Sequence, residues 1–161
     1  MLNLTTRVLQ KDGQVIENTY QTVAEDGQVP NGDVLLSLQQ LNLLAQIKGK
    51  KAVLLGVEDS PEQVELPLAE LDSIFIAFPA FTDGRGYSYA ALLRRQGFKG
   101  ELRAVGDVFK DVLNYLMRSG FDSFVLKAEH DIEIAARGLK DFEHPYQYSV
   151  AKPQAEYQTG L

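Results

Sequence analysis

The sequence predicts an α/β domain: a mainly parallel sheet of about four strands flanked by helices, with an N-terminal β-hairpin. Three observations carry that expectation. Short apolar runs such as Ala52–Val57 and Ile74–Phe78 lack polar alternation, as strands buried on both faces do. Segments with helical spacing lie between such runs, and strands alternating with helices call for right-handed parallel crossovers. Near the start, Arg7–Gln10 and Gln14–Glu17 flank Lys11-Asp12-Gly13, an Asp-Gly hairpin signal. At 161 residues the chain has the length of one domain and can bury a core without staples.

Element by element, residues 1–24 form the hairpin unit, with a weaker third strand within Tyr20–Val23, and Glu25–Gly32 is a loop. Residues 33–142 form the alternating core. Val34, Leu35, Leu38, Leu41 and Ala45 recur at helical spacing, which predicts a helix capped by Asp33 and stopped by Gly49 in a left-handed conformation. After the strand Ala52–Val57, Ser60-Pro61-Glu62-Gln63 reads as a capped helix start that Pro67 limits to about two turns. Ile74–Phe78 is the second strand and Gly86–Gln96 a helix stopped by Gly97. Leu102–Val105 is the third strand. Val108–Ser119 is a helix with Phe109, Val112, Leu113 and Leu116 on its buried face, stopped by Gly120. Ser123–Leu126 is the fourth strand and Ile132–Phe142 the last helix. Residues 143–161, with two prolines and little apolar content, read as an extended or disordered tail in which Tyr146 and Tyr148 alternate as in an edge strand.

Composition narrows the function classes. Hydrophobic residues make up 45% and charged residues 24%, as in ordinary globular proteins. No run reaches the length of a membrane span, and Met1–Lys11 lacks the apolar stretch of a signal peptide, so a cytoplasmic protein is expected. The chain has no cysteine, which excludes disulfides, thiol catalysis and any cofactor held through cysteine, iron–sulfur clusters included. A net charge of −6 argues against nucleic-acid binding.

Ligands of parallel sheets bind beyond the carboxyl ends of the strands. That rule selects Pro79–Ser88, Gly106-Asp107 and Lys127–Asp131. The first loop carries Gly84 and Gly86 and opens a helix, whose first N–H groups and dipole favour an anion. Arg85 adds a planar fork suited to oxyanions, with Thr82, Tyr87 and Ser88 as further donors. A helix cap at Thr82 or Asp83 is the plainer reading. Asp107 is either a cap, a general base or a partner of Arg85. No nucleotide-binding fingerprint is complete: after Gly84-Arg85-Gly86, the third glycine position is Tyr89. No metal signature is present, and His130 and His144 form no ligand pattern. Seven basic residues between Arg85 and Arg118, Arg103 among them, face only three acidic ones, a local surplus of +4 that suits an anion or an acidic partner.

Several rarer stretches occur in order: Phe78-Pro79-Ala80-Phe81-Thr82-Asp83-Gly84-Arg85-Gly86-Tyr87-Ser88, Leu92-Leu93-Arg94, Gly100-Glu101-Leu102-Arg103-Ala104-Val105-Gly106-Asp107-Val108 and Arg118-Ser119-Gly120-Phe121-Asp122. Over Leu71–Leu126 the chain resembles the bacterial family called domain of unknown function 934. Members of that family are commonly encoded beside sulfite reductase and described as oxidoreductases or accessory proteins of sulfite reduction. The resemblance therefore implies a partner, sulfite reductase or its electron donor. Without cysteine the chain is not the sirohaem subunit itself. Two readings follow: an accessory protein of assimilatory sulfite reduction, or a small-molecule enzyme or binder acting on an oxyanion at the 82–88 loop. The residues expected to carry either are Thr82, Asp83, Arg85, Tyr87, Ser88, Arg103 and Asp107, and a homodimer is kept as an assembly state.

Overall fold

Side-chain alternation sets the architecture of the sheet. The computed structural model describes residues 7–139. The predicted tail at 143–161, Tyr146, Tyr148, His144 and the end of the last helix lie outside them. Among the described residues eight strands form one sheet: β1 Arg7–Gln10, β2 Val15–Glu17, β3 Gln21–Thr22, β4 Val34–Ser37, β5 Lys51–Leu55, β6 Ser73–Phe78, β7 Glu101–Gly106 and β8 Ser123–Phe124. The spatial order is β2-β1-β8-β7-β6-β5-β4-β3. From β3 to β8 all neighbours run parallel, while β1 is antiparallel to both β2 and β8. The helices are α1 Arg85–Arg95, α2 Leu113–Ser119 and α3 Ile132–Gly138.

Because sequential strands are also spatial neighbours, every parallel crossover steps in one direction and passes over the same face. The result is a sheet curled like half a barrel. On the outer face Val34, Leu36, Val53, Leu55, Ile74, Ile76, Leu102 and Ala104 pack with Ala90 and Leu93 of α1, Leu113 and Leu116 of α2 and Ala135 of α3. The inner face carries a smaller set: Val8, Tyr20, Leu35, Ala52, Phe75, Val105 and Val125. Each fully buried Leu, Ile or Phe stabilises the fold by about 1.5–3 kcal/mol over an exposed one, so the helical side dominates.

The hairpin, the strands β5 to β8, α1 and the start of α3 stand where the sequence puts them, and Gly97 and Gly120 close α1 and α2 with positive φ. The sheet is larger than four strands, and three local expectations fail. Val34–Ser37 is a strand, not the start of a helix: Leu35 faces inward while Val34 and Leu36 face outward, the period of two. Only Leu38–Gln46 is helical, as a 3-10 turn. Ser37, rather than Asp33, begins it, its N–H donating to Gln40 Oε1 at 3.0 Å. Asp33 instead accepts the Lys50 N–H at 2.9 Å. Gly49 has no positive φ; it is required because a Cβ there would lie 2.4 Å from the Gly32 carbonyl. Ser60–Val64 is a single turn closed by Gln63 N–H to Ser60 C=O, with only a 3-10 turn at Leu68–Glu70 after it. Two prolines and scattered acids leave this crossover without an apolar stripe to bury. Finally, the helix expected from Val108 begins as a 3-10 turn at Lys110 and is α-helical only from Leu113, which leaves Phe109 extended before it and off the expected face.

No helix among the described residues is long and apolar enough to cross a membrane.

Candidate functional site

β6 and β7 end side by side, with Phe78 opposite Gly106. Gly106 turns the chain at φ +98°, and a Cβ there would meet the Phe78 carbonyl oxygen at 2.4 Å. Only glycine allows that approach, and it lets the Asp107 N–H donate to the Phe78 carbonyl at 2.8 Å. The Asp107 carboxylate then reaches into two neighbouring loops. Its Oδ2 accepts the Phe81 N–H at 2.9 Å and its Oδ1 pairs with Lys127 Nζ. One side chain thereby ties together the loops that follow β6, β7 and β8. The Lys127 ammonium, and after it the Phe81 N–H, hold the Asp107 carboxyl below the usual range; Asp107 in turn raises Lys127.

Asp83 is the carboxylate that engages Arg85. Its Oδ1 accepts from Arg85 Nε at 3.0 Å and from the Arg85 N–H at 3.1 Å, and its Oδ2 accepts from Nη2 at 2.7 Å. Glu58 Oε1 lies 3.8 Å from Nη1. The Arg85 hydrogen bond lowers Asp83 and raises Arg85. Asp83 therefore satisfies one of the first N–H groups of α1, as a cap would, and occupies the Nε–Nη2 edge of the fork that the sequence offers to an oxyanion. The pairing of Asp107 with Arg85 does not occur.

The other predicted residues separate. Thr82 and Ser88 are exposed, and their hydroxyls make no hydrogen bond among the described residues. The Tyr87 ring packs edge-on between Phe78 and Tyr115, with centroids 5.1 and 5.0 Å away, and burial there raises its hydroxyl pKa. Arg103 is nowhere near this edge. It projects from the middle of β7 onto the inner face, against Glu101, Ser123 and Asn18. The basic surplus is likewise less available than its count suggests, since Arg85, Arg94 and Arg103 pair with Asp83, Asp122 and Glu101.

Sequence reasoning missed the aromatic edge. Phe81 is 48% exposed and stacks edge-on against Phe109 at 5.1 Å, and Phe109 lies 5.8 Å from the His130 ring. Tyr115, on the first turn of α2, is 60% exposed. A phenylalanine in the otherwise small and polar stretch Pro79–Ser88 is the one signal that could have revealed it. Among the described residues no three His, Asp or Glu side chains converge as a metal site, and no hydroxyl here is hydrogen-bonded to a base. The arrangement presents aromatic surface on a loop cluster whose charges are paired internally.

The model of a bacterial family described as protein of unknown function, DUF934, matches residues 52–157. The match extends beyond the segment that carries the sequence resemblance and covers roughly two-thirds of the chain. No curated protein and no solved structure matches.

Proposed function

The chain belongs to this family of bacterial proteins of unknown function, and on that premise we propose that it is an accessory protein of assimilatory sulfite reduction. It docks on sulfite reductase or on the electron donor of that enzyme. The observation that carries this reading is the exposure of Phe81 and Tyr115 on the same sheet edge, beside Arg85 and Asp107 side chains that are each engaged in an ion pair within the loops. Aromatic side chains are enriched at protein interfaces and dominate their energetics. Loops pinned by Asp107 also present them with little ordering left to lose on binding. The proximity of family members' genes to sulfite reductase supports the choice of partner. The competing reading, an oxyanion at the 82–88 loop, would have to use the Nη1 side of Arg85, because Asp83 occupies Nε and Nη2 and Glu58 lies 3.8 Å from Nη1.

Calorimetric titration with the cognate sulfite reductase tests the proposal. Micromolar or tighter binding is expected, weakened about thirtyfold by the pair Phe81→Ser and Tyr115→Ser, the size of a hot-spot loss. Raising the salt should weaken it less than that pair does, because the contacts are apolar. No complex at low or moderate salt, by calorimetry and by sedimentation, would sink the direct-docking reading. Thermal stabilisation by sulfite that Arg85→Ala removes would favour the oxyanion reading instead.

A further inference from the structure

At the opposite edge of the sheet, near the amino ends of β6, β7 and β8, a cleft of about 490 Å³ opens over a buried polar network. Arg103 is at its floor, 3% exposed, with its guanidinium 4.6 Å from the Phe75 ring and 5.4 Å from the Tyr20 ring. Its Nε donates to Ser123 Oγ at 3.1 Å and to Glu101 Oε1 at 3.2 Å. Nη2 donates to Glu101 Oε1 at 2.8 Å, and Nη1 to Asn18 Oδ1 at 2.9 Å. These bonds use one hydrogen on each nitrogen. A guanidinium carries five, so one N–H on Nη1 and one on Nη2 have no acceptor among the described residues. Unmet donors of a buried charged group are costly, and here they belong to a side chain that lines an open cleft.

The mouth of the cleft favours an acceptor with negative charge. Lys50 and Lys99 line it, both exposed and in no ion pair among the described residues, and they outnumber the unpaired Glu17. The Glu101 carboxylate is already engaged by Arg103, Ser73 and Ser123. A local positive excess in a chain of net charge −6 concentrates anions at that spot.

We propose that this cleft is a binding site for an oxyanion head group, a carboxylate, sulfonate, sulfate or phosphate. Its oxygens accept the two free N–H groups of Arg103, and Lys50 and Lys99 hold it at the mouth. The volume is that of a small-molecule site, and the Tyr20 ring and the half-exposed Ile16 offer apolar contact to an organic remainder. The site is independent of the aromatic edge. It also locates oxyanion chemistry at Arg103, whose free N–H groups belong to a buried side chain lining a cleft, rather than at Arg85, which is half exposed and paired with Asp83.

The test is titration of the full chain with sulfate, phosphate and benzenesulfonate at constant low ionic strength, followed by calorimetry and amide chemical shifts. Saturable binding of at least one anion is expected, with shifts at Tyr20, Gly100 and Arg103. The pair Lys50→Ala and Lys99→Ala, both exposed and harmless to folding, should weaken it at least tenfold, and Arg85→Ala should leave it unchanged. Arg103→Lys, checked for fold by circular dichroism, should abolish it by removing the fork while keeping the charge. Benzenesulfonate binding tighter than sulfate assigns the site to an organic anion; equal or weaker binding assigns it to an inorganic one. Absence of saturable binding by all three anions overturns the proposal, as does binding that survives the lysine pair or is lost with Arg85→Ala.

Discussion

Two adjacent residues, Gly106 and Asp107, hold the β6–β7 edge together, and each allows a direct test. Gly106 combines a positive φ with a 2.4 Å approach of the hypothetical Cβ to the Phe78 carbonyl. The left-handed conformation alone costs a residue with a side chain about 1–2 kcal/mol, and the clash adds to it. Gly106→Ala should therefore lower the urea midpoint by more than the conformational cost alone, with an unchanged slope. Asp107 is tested by pH. Its folded pKa is depressed below the ordinary value near ~3.9, so its contribution is complete above that value and is lost as pH falls through the folded value. Lys127 is raised above its ordinary value near ~10.4, so its contribution is complete below that value and is lost as pH rises through the folded one. The melting-temperature gap between wild type and Asp107→Asn should thus be widest near neutrality and narrow at both extremes. A gap independent of pH would mean that the Lys127 pair contributes nothing.

Elements depend on similar fixed points, and the strongest is Arg94 in the last turn of α1. Its Nε and Nη2 donate to the Gly120 carbonyl at 3.1 and 3.0 Å, its Nη1 donates to Phe98 and Gly100, and Nη2 also pairs with Asp122. Asp122 in turn accepts the Leu102 N–H of β7 at 3.0 Å. One planar group thus locks α1, the turn after α2 and the start of β7. Arg94→Ala, which takes the donor from three carbonyls and leaves Asp122 only Lys11 and the Leu102 N–H, should cost about 3 kcal/mol in urea unfolding. Arg94→Lys should recover only part of it, because an ammonium cannot reproduce the fork. From the sequence Arg94 reads as an ordinary cation at a helix end, since its carboxylate partner Asp122 and the Gly120 carbonyl lie 28 and 26 residues away. The same limit explains the other surprises. The runs Ala52–Val57 and Ile74–Phe78 were legible as strands because burial on both faces needs only local apolarity. Val34–Ser37 was not, because Val34-Leu35-Leu36 joins a 3-10 turn whose Leu38, Leu41 and Leu44 continue it at helical spacing. The partners of Arg85 and Asp107 could not be chosen from sequence either. Asp83, Asp107 and Lys127 all lie on neighbouring loops, and register and loop geometry select among them.

At the scale of the whole molecule, the curled sheet gives its two edges different energetics. The carboxyl edge carries aromatic side chains whose exposure means that folding gains little from them. At the amino edge, Arg103, Glu101, Ser73, Ser123 and Tyr20 are interdependent. Burial pushes the Glu101 carboxyl up, yet Arg103 and the two serine hydroxyls outweigh it and hold the group below its usual range. Burial also pushes the Tyr20 hydroxyl up to about 12, so it stays protonated and shares a 2.8 Å hydrogen bond with Ser73. Removing one member of such a network leaves a buried charge unpaired and costs about 3–5 kcal/mol, whereas removing both charges together costs far less. Arg103→Met and Glu101→Gln should each lower stability strongly, and the double variant should be more stable than the sum of the two losses predicts, a coupling that a double-mutant cycle measures. Phe81→Ser and Tyr115→Ser should stay within about 0.5 kcal/mol of wild type, as exposed sites do. If instead the aromatic pair destabilised the fold while the Arg103–Glu101 cycle showed no coupling, the assignment of docking to one edge and of a preorganised polar floor to the other would be reversed.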